Sequence, residues 1–435
     1  MKKYEDYKLS SIDWVGIIPF HWDIIRPKYK LNRVTRSVDK NDDVITCFRD
    51  GVVTLRKNRR EDGFTNSIQE HGYQQIQKGD LVVHEMDGFA GAIGISDSKG
   101  KSTPVYTVIE PDHRADLKYI AYLLREMSRT GKIESLARSI RERTTDFRWK
   151  MWSTIPFPFP PIEEQRIISE YLDEKTSQID RLVEKIKKKI DLLNEQKTIL
   201  INQYVTKGID HNVEIKDSGV DWIGRIPKHW KLSKVKWITE KIGSGITPRG
   251  GSEIYTEEGV KLLRSQNIHF DGLHLENVVH ISKDIDESMS NSRTKNNDVL
   301  FNITGGSIGR CCLINNDETM NVNQHVCIVR PKTGEIDPYY LFSFLSSYIG
   351  QIQLRQNLTG SGREGLNFEN LGNFLIPLPE FEEQKKIGIQ ILKINQKIFS
   401  ILDKFKSKLL LLHEYRQSLI SSVVTGKIRI TEDMI

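Results

Sequence analysis

Two long stretches of the chain repeat apolar residues at alternating steps of four and three positions. The first seam runs through residues 168–200 and the second through residues 387–419. This heptad pattern is typical of coiled-coil helices, and it predicts about 30 residues, or about 45–50 Å, of helix in each stretch. Lys189 and Lys408 occupy matching seam positions, where a polar residue fixes the pairing register. Two ordinary amphipathic core helices are the alternative interpretation.

The segments that precede the two helices have a different pattern. Short β-rich runs such as “DLVVHEM” (80–86) and “DVLFNIT” (298–304) alternate with turns rich in Gly, Asn and Ser. Each segment ends in a short helical stretch, “YIAYLLREMS” in the first and “YYLFSFLSSYIG” in the second. The pattern predicts two α+β domains of about 140 residues each.

The ends of the two halves match each other closely, whereas the segments between them diverge. The box “SSIDWVGIIPFHW” (10–22) shares eight of 13 positions with “SGVDWIGRIPKHW” (218–230), and “FPFPPIEEQ” (157–165) matches “IPLPEFEEQ” (376–384). A shared scaffold around two segments with related tasks explains this, because uniform drift after duplication would not spare only the ends. We expect the boxes to attach each domain to a helix through Trp14, Pro19, Trp22, Trp222, Pro227 and Trp230.

The composition is that of a folded protein, and we expect a cytoplasmic one. Hydrophobic residues make up 38% and charged residues 28% of the 435 positions, and the first residues show no signal-peptide pattern. No apolar run reaches the length that spans a bilayer, so we expect no membrane association. Cys47, Cys311, Cys312 and Cys327 form no CxxC pair, which favours reduced thiols.

Positive charge is concentrated in two parts of the first half. The net charge is +6, and “RDGVVTLRKNRR” (49–60) and “RSIRERTTDFR” (138–148) are dense in arginine. Such runs are typical of surfaces that neutralise phosphates, and a solvated surface run is the alternative.

No enzymatic motif in the sequence is complete. “DPYY” (337–340) is similar to the D-P-P-Y signature of amino-group methyltransferases, but the chain has no glycine-rich cofactor loop. Asp337 matches Asp116 of the first half, and a helix cap explains both. The carboxylates of “PDHRADLK” (111–118) are too crowded for a magnesium nuclease, and neither an ATP-binding loop nor a paired histidine spacing is present. We therefore expect no catalytic and no metal-binding residues.

Three glycine-rich loops of the second half each carry one arginine. They are “GSGITPRGG” (243–251), “TGGSIGR” (304–310) and “TGSGREG” (359–365), and “RSQN” (264–267) and “NVNQH” (321–325) add further polar side chains. Arg, Asn, Gln, Ser and Thr are the side chains that read base edges and phosphates. Satisfying the loop backbones is the alternative role.

Together these features resemble the specificity (S) subunit of type I restriction–modification enzymes. The resemblance covers essentially the whole chain and rests on “DWIGRIPKHW” (221–230) before a variable domain and on “PLPEFEEQKKI” (377–387) and “VVTGKI” (423–428) after it. “DVLFNITGGSIGR” (298–310) is also typical of the target-recognition domains of the family. The first domain departs from that pattern with “DLVVHEMDGFAGAIG” (80–94).

The resemblance implies an α+β fold with two pseudo-symmetric target-recognition domains, joined by two long antiparallel coiled-coil helices. The chain then divides into the first box with target-recognition domain 1 (1–158), spacer helix 1 (159–208), the second box with target-recognition domain 2 (209–377) and spacer helix 2 (378–435).

The resemblance also implies a non-catalytic subunit that recognises double-stranded DNA. Each domain would read one half of a bipartite target, and the spacer helices would hold two modification (M) subunits that methylate adenine N6. Restriction (R) subunits would add translocation and cleavage. We expect no cofactor in this chain, since S-adenosylmethionine, ATP and Mg²⁺ belong to the partner subunits. Half-sites about one helical turn, or ~34 Å, apart suit the predicted helix length.

On this basis we nominate DNA-contacting residues in both domains. In the first domain they are Arg49, Arg56, Lys57, Arg59, Arg60, Arg138, Arg141 and Arg143. In the second they are Thr247, Arg249, Ser265, Asn267, Thr304, Arg310, Gln324, Ser361 and Arg363. Two other classes of protein stay open at this point, a self-sufficient DNA methyltransferase and a coiled-coil scaffold without a DNA role.

Overall fold

The computed structural model describes residues 2–39, 41–59, 71–136, 147–210, 212–248, 250–358 and 365–435. The chain forms two compact units. The first comprises Met1–Ile186 with Ser407–Ile435, and the second comprises Lys187–Lys406. Both boundaries fall inside long helices, so each unit contains the beginning of one long helix and the end of the other. None of the described helices is long and apolar enough to cross a membrane.

The first unit is built around a four-stranded antiparallel sheet. The strands of the unit are β1 (Tyr7–Leu9), β2 (Ile17–Pro19), β3 (Asp23–Ile25), β4 (Asn32–Val34), β5 (Ile45–Cys47), β6 (Val53–Leu55), β7 (Gln74–Ile76), β8 (Leu81–His84), β9 (Ile93–Ile95), β10 (Gly100–Ser102), β11 (Tyr106–Glu110) and β12 (Phe157–Phe159). Its helices are α1 (Leu117–Arg129), α2 (Lys132–Ser135), α3 (Trp149–Trp152) and the first part of α4 (Ile162–Lys207). The sheet has the order β4-β11-β8-β9, and α1 packs against it.

The second unit repeats this architecture. Its strands are β13 (Ile215–Asp217), β14 (Arg225–Pro227), β15 (Lys231–Lys234), β16 (Thr239–Ser244), β17 (Val260–Leu263), β18 (Ile268–His269), β19 (Gly272–Leu273), β20 (Val279–Ile281), β21 (Val299–Asn302), β22 (Cys311–Leu313), β23 (Asn321–Val322), β24 (Val326–Pro331) and β25 (Leu375–Leu378). Its helices are α5 (Lys283–Ser288), α6 (Pro338–Ser346), α7 (Tyr348–Gln356), α8 (Phe368–Gly372) and the first part of α9 (Phe381–Val424). The main sheet has the order β16-β24-β21-β22.

Strand pairing confirms the internal repeat that the sequence predicts. In each box a short hairpin forms, β1 with β2 and β13 with β14. The strand after the box then pairs with the strand before the long helix, β3 with β12 and β15 with β25. The second unit adds a three-stranded sheet of order β20-β17-β23 and the hairpin β18-β19. The added strands lie in the variable segment, where the two halves of the sequence diverge.

The long helices exceed the predicted length of about 30 residues. Helix α4 has 46 residues and α9 has 44, which corresponds to about 69 and 66 Å at ~1.5 Å per residue. The heptad seam underestimates the helix length because each helix extends beyond the seam residues. At its C-terminal end each helix continues until a glycine in the left-handed conformation follows it. These glycines are Gly208 after α4 and Gly426 after α9. Lys189 and Lys408 are exposed, so neither fixes the register from inside a buried seam.

The two long helices pack antiparallel within each unit. In the first unit, Ile168 and Leu172 of α4 share a core with Leu419 and Val423 of α9, and Asp180 binds Arg416 at 2.7 Å. In the second unit, the equivalent core joins the end of α4 to the start of α9 through Ile201, Val205, Ile387 and Ile391. Apolar burial at the domains therefore stabilises both ends of each helix.

One carboxylate in the first turn of each long helix holds the box. Glu164 of α4 accepts a hydrogen bond from Trp22 Nε1 (3.1 Å), contacts His21 Nε2 (2.8 Å) and accepts a further bond from the hydroxyl of Tyr4. The indole of Trp22 is fully buried, so its single N–H needs this partner.

The second unit repeats this carboxylate contact. Glu383 of α9 accepts a bond from Trp230 Nε1 (3.2 Å) and contacts His229 Nε2 (2.9 Å). The boxes therefore attach to the long helices as the sequence predicts. Trp14 and Trp222 contribute differently, because each packs against the core of its own unit while its indole nitrogen has no hydrogen-bond partner among the described residues.

The glutamine that follows each of these glutamates attaches the α+β domain to the same helix. Gln165 Oε1 accepts from the backbone N–H of Asp116 (3.0 Å), and Gln384 Oε1 accepts from that of Asp337 (2.8 Å). In both glutamines the amide Nε2 donates to a proline carbonyl before the helix. The repeated “EEQ” therefore attaches both the box and a helix of the domain (α1 or α6) to the first turn of the long helix.

Candidate nucleic-acid interface

The loop between β21 and β22 carries two nominated residues, Thr304 and Arg310. It begins at Asn302, whose side-chain Nδ2 donates to the backbone oxygen of Ser265 (2.8 Å) and to Ser307 Oγ (3.0 Å). These bonds fasten the “RSQN” segment to the glycine-containing loop. The Oδ1 atom of Asn302 is buried, and it has no hydrogen-bond partner in the described part of the chain.

A third segment joins the same patch through His325. Its Nδ1 lies 2.5 Å from Thr304 Oγ1, and its backbone oxygen accepts from the N–H of Ile303 (3.0 Å). The neighbouring Gln324 is exposed. The structure thus brings “RSQN”, “TGGSIGR” and “NVNQH” together at one end of the main sheet of the second unit.

Close backbone packing places Thr247 beside this patch. A Cβ atom on Gly245 would lie 1.6 Å from the carbonyl oxygen of Val322, so only glycine permits the approach. Gln324 lies two residues after Val322, and Thr247 lies two residues after Gly245. The side chains of Thr247 and Gln324 are both exposed. The loop after β16 is therefore part of the same surface.

Arg310 is the cation of this patch. It is half-buried, and its backbone oxygen accepts from the N–H of Asn302 (2.8 Å), which fixes the end of the loop. No ion pair within the described part of the chain involves Arg310. The backbone of Arg310 is fixed, and its guanidinium makes no ion pair with the described residues. Such an arginine can donate two parallel hydrogen bonds to a pair of acceptor atoms.

Asn267, which the sequence nominates as a DNA contact, is buried and has a structural role. Its side chain is 1% exposed. Its Oδ1 accepts from the N–H of Arg264 (3.0 Å) and its Nδ2 donates to the carbonyl of His274 (2.8 Å). The oxygen and the nitrogen of the amide are both hydrogen-bonded within the loop, so Asn267 stabilises the “RSQN” turn. The sequence could not show this because the acceptor, seven residues away, depends on the hairpin between them.

Three of the nominated cations of the first unit, Arg49, Lys57 and Arg59, are paired with carboxylates. Arg49 binds Asp87 (2.9 Å) and Lys57 binds Asp43 (2.5 Å). Arg59 makes two hydrogen bonds to Asp50 and lies 4.5 Å from the ring centroid of Phe48. The hydrogen bond with Asp50 raises the pKa of Arg59. Arg56 Nε donates to Thr46 Oγ1 (3.2 Å). A phosphate would therefore have to exchange with these acids.

Several nominated residues lie outside the part of the chain that the structure describes. They are Arg60, Arg138, Arg141, Arg143, Arg249, Ser361 and Arg363. Conversely, sequence reasoning did not nominate Asn302 and His325, which organise the patch. Both occur in segments rich in polar residues, but only the fold shows that they join separate loops.

The methyltransferase-like “DPYY” is a helix cap. Asp337 Oδ1 accepts from the N–H of Tyr340 (3.0 Å) at the start of α6, and Asp116 makes the same bond to Tyr119 (2.7 Å) at the start of α1. Burial raises the pKa of Asp337. The cap predicted from the repeat is confirmed.

Comparison with known proteins finds similarity to type I restriction specificity subunits. The profile described as “Type I restriction modification DNA specificity domain” matches residues 227–420. The chain is 30% identical over 285 residues to the type I restriction enzyme MjaVIII specificity subunit of Methanocaldococcus jannaschii, covering 65% of this chain and 64% of the relative. It is 27% identical to the EcoBI specificity subunit of Escherichia coli, covering 62% and 58%. These alignments thus span less than two thirds of either relative.

Longer but weaker similarities extend over nearly the whole chain. The EcoKI specificity subunit of Escherichia coli K12 is 21% identical, with 95% of this chain and 90% of the relative aligned. A solved chain from a study of complex assembly and conformational transition of the type I R-M system matches with a TM-score of 0.66 at 15% identity, covering 94% and 99%. The HsdS subunit of Thermoanaerobacter tengcongensis matches with a TM-score of 0.54 at 15% identity, covering 94% and 98%. These structures show that the fold is shared.

Proposed function

We propose that the chain is a specificity subunit of the type I restriction–modification kind and that it recognises a bipartite sequence in double-stranded DNA. Each unit would read one half-site. The observation that carries the proposal is the repeated fold with divergent loops at the end of the main sheet. Two copies of one scaffold with different contact loops are what two different half-sites require.

In the second unit, the patch of Thr247, Ser265, Thr304, Arg310 and Gln324 would contact the bases. Arginine forms bidentate bonds with the O6 and N7 atoms of guanine, and glutamine does so with the N6 and N7 atoms of adenine. The hydroxyls of the patch accept or donate according to the base they meet. Arg310 and Gln324 therefore carry most of the discrimination in this proposal.

In the first unit, the paired arginines and Lys57 would act through phosphates. Exchange of a carboxylate for a phosphate releases counterions from DNA, so binding weakens as salt rises. Because Asp43, Asp50 and Asp87 compete for the cations, this half of the surface contributes less to nonspecific binding than its count of arginines suggests.

The chain would position catalytic partners without catalysing a reaction itself. Adenine-N6 methylation with S-adenosylmethionine would belong to two M subunits, and ATP- and Mg²⁺-dependent cleavage to R subunits. The long helices offer a surface for the M subunits, because large apolar side chains are exposed along them. These side chains are Leu182, Leu192, Ile199, Ile389, Phe399, Leu410, Leu411 and Tyr415. Exposed apolar patches of this kind are typical of protein–protein contacts.

An affinity measurement with the assembled complex tests the recognition proposal. Fluorescence anisotropy would follow binding of the chain with its M subunits to the duplex selected from a random library. Arg310→Ala should lower the preference at one base pair by about 1–3 kcal/mol. Arg355→Ala, at an exposed position of α7 outside the patch, should leave the preference unchanged. Equal effects of the two variants would contradict the proposed contact.

The same preparation separates the two alternatives. A self-sufficient methyltransferase would bind S-adenosylmethionine as the isolated chain, whereas the proposal predicts binding only in the presence of the M subunits. A scaffold without a DNA role would show no salt-dependent affinity for duplex DNA in the complex.

A further inference from the structure

The hairpin β18–β19 of the second unit presents three metal-ligating side chains. Ile268 pairs with Leu273 and His269 with Gly272, and Asp271 lies in the turn between the strands. The base of the hairpin is closed by the hydrogen bonds between Asn267 and His274. Both ends of the hairpin are thereby fixed. The spacing H-x-D-x-x-H, which did not indicate a metal site in the sequence alone, therefore places all three side chains at one site.

The ligand atoms of His269, Asp271 and His274 all lie within 4.8 Å of one another. His274 Nε2 is 3.2 Å from Asp271 Oδ1. A tetrahedron with bonds of about 2.0–2.1 Å has edges of about 3.3 Å, so this pair already has the spacing of two zinc ligands. The widest separation must shrink by at most about 1.5 Å, which rotation of the partly exposed histidine side chains can supply.

The protonation of His269 suits a metal ligand. Its Nε2 lies 3.0 Å from the carbonyl oxygen of Gln266. A carbonyl only accepts, so Nε2 carries the proton and the lone pair remains on Nδ1. Metal-binding histidines commonly donate their second N–H to a backbone carbonyl in this way, which fixes the tautomer and the ring orientation.

The two histidine rings stack on each other. Their centroids are 3.9 Å apart and their planes differ by 14°. The hairpin therefore holds the two imidazoles side by side.

We propose that His269, Asp271 and His274 form a zinc site that stabilises the hairpin beside the recognition patch. Two imidazoles and a carboxylate form a donor set that zinc prefers, and a water molecule completes the tetrahedron. The site adjoins the “RSQN” segment through Asn267, whose amide bonds to both Arg264 and His274. A bound ion would therefore stiffen the turn that carries Ser265.

Isothermal titration of the chelator-treated full-length chain with Zn²⁺ tests the site. We expect one equivalent to bind, and we expect His269→Gln and His274→Gln each to weaken this binding at least about tenfold. His113→Gln is the matched control, because His113 also lies beside an aspartate, Asp112 (3.1 Å), but belongs to no group of three ligands among the described residues. It should bind Zn²⁺ as the unaltered chain does.

Two outcomes would overturn the site. One is the absence of a stoichiometric Zn²⁺ equivalent in the unaltered chain, and the other is undiminished binding by both hairpin variants. Co²⁺ absorbance provides an independent readout of tetrahedral nitrogen and oxygen ligation, and the metal-free variants should retain the circular dichroism spectrum of the unaltered chain. The result is independent of DNA binding, so failure of the site would leave the recognition proposal intact.

Discussion

At the scale of single residues, one carboxylate explains the tryptophan box. Glu164 provides the acceptor for the buried indole of Trp22 and also contacts His21 and Tyr4. Its neighbour Glu163 is exposed and binds only the surface residue Arg166 (2.8 Å). The two adjacent glutamates of the repeated “EEQ” therefore contribute very differently to the free energy of unfolding, although the sequence shows the same residue at both positions.

Replacing the two glutamates separately tests this difference. Glu164→Ala should lower the free energy of unfolding by about 1–3 kcal/mol, because the Trp22 indole loses its partner while it stays buried. Glu163→Ala should change it by no more than about 0.5 kcal/mol. Urea denaturation followed by tryptophan fluorescence measures both values. Equal losses would show that Glu164 does not hold the box.

A half-buried histidine in the first unit, His84, predicts a loss of stability in mild acid. His84 Nδ1 accepts from the backbone N–H groups of Met86 (3.2 Å) and Asp87 (3.1 Å). Burial lowers the pKa of His84, Asp87 raises it less, and Arg49 adds to the lowering. The unfolded chain thus gains a proton at a higher pH than the folded chain. The stabilisation by neutral His84 is present above about pH 6.5 and is lost as pH falls.

The variant His84→Asn checks the sign of this dependence. The Asn amide oxygen can accept the same N–H groups without titrating. Between pH 7 and pH 5.5, this variant should lose less stability than the unaltered chain, as measured by thermal unfolding. His113→Gln, which replaces an almost fully exposed histidine, should follow the unaltered chain. An unchanged pH slope in His84→Asn would rule out the role of His84.

At the scale of elements, sequence and structure agree where the periodicity is long and disagree at the ends. The heptads predict both long helices, but their lengths depend on Gly208 and Gly426 in the left-handed conformation. The recognition patch was less accessible to prediction. Its segments are joined by Asn302 and His325, and hydrogen bonds between residues 20 to 40 positions apart leave no periodic signal. For the same reason the acidic partners of the arginines in the first unit were not foreseen.

The close approach of β16 and β23 gives an element-scale prediction. Gly245→Ala should destabilise the second unit and weaken DNA binding, because the new methyl group would overlap the Val322 carbonyl. Gly243→Ala is the matched control, since its Cβ would meet its nearest atom at 3.8 Å. Thermal unfolding and anisotropy measured on both variants check the effect. A Gly245→Ala variant as stable as Gly243→Ala would contradict the packing.

The long helices predict a dependence of target spacing on helix length. Deleting one heptad from each helix, residues 185–191 of α4 and 404–410 of α9, keeps the heptad register of both helices. We expect the unread gap between the half-sites to shorten, while the two read sequences stay the same. Sequencing the methylated sites of a host that carries the variant with its M subunit measures the gap. An unchanged gap would show that the helices do not set the spacing.

At the scale of the whole molecule, the repeat extends from the sequence to individual hydrogen bonds. Trp22 and Trp230 bind equivalent glutamates. Tyr119 donates to the carbonyl of Pro158 and Tyr340 to that of Pro377, at equivalent positions of the strand before each long helix. Sequence comparison of the halves could predict this scaffold because matching residues make matching contacts. It could not predict the hairpin β18–β19, since the described residues of the first unit form no counterpart.

The central claim is that the two units read two separate half-sites. Selection of duplexes from a random library by the chain with its M subunits, followed by sequencing, tests it most directly. The account predicts two specified blocks of base pairs separated by a gap of fixed length without base preference. Arg310→Ala should relax the preference in one block and leave the other unchanged. A single continuous block, or relaxation of both blocks by Arg310→Ala, would contradict the account.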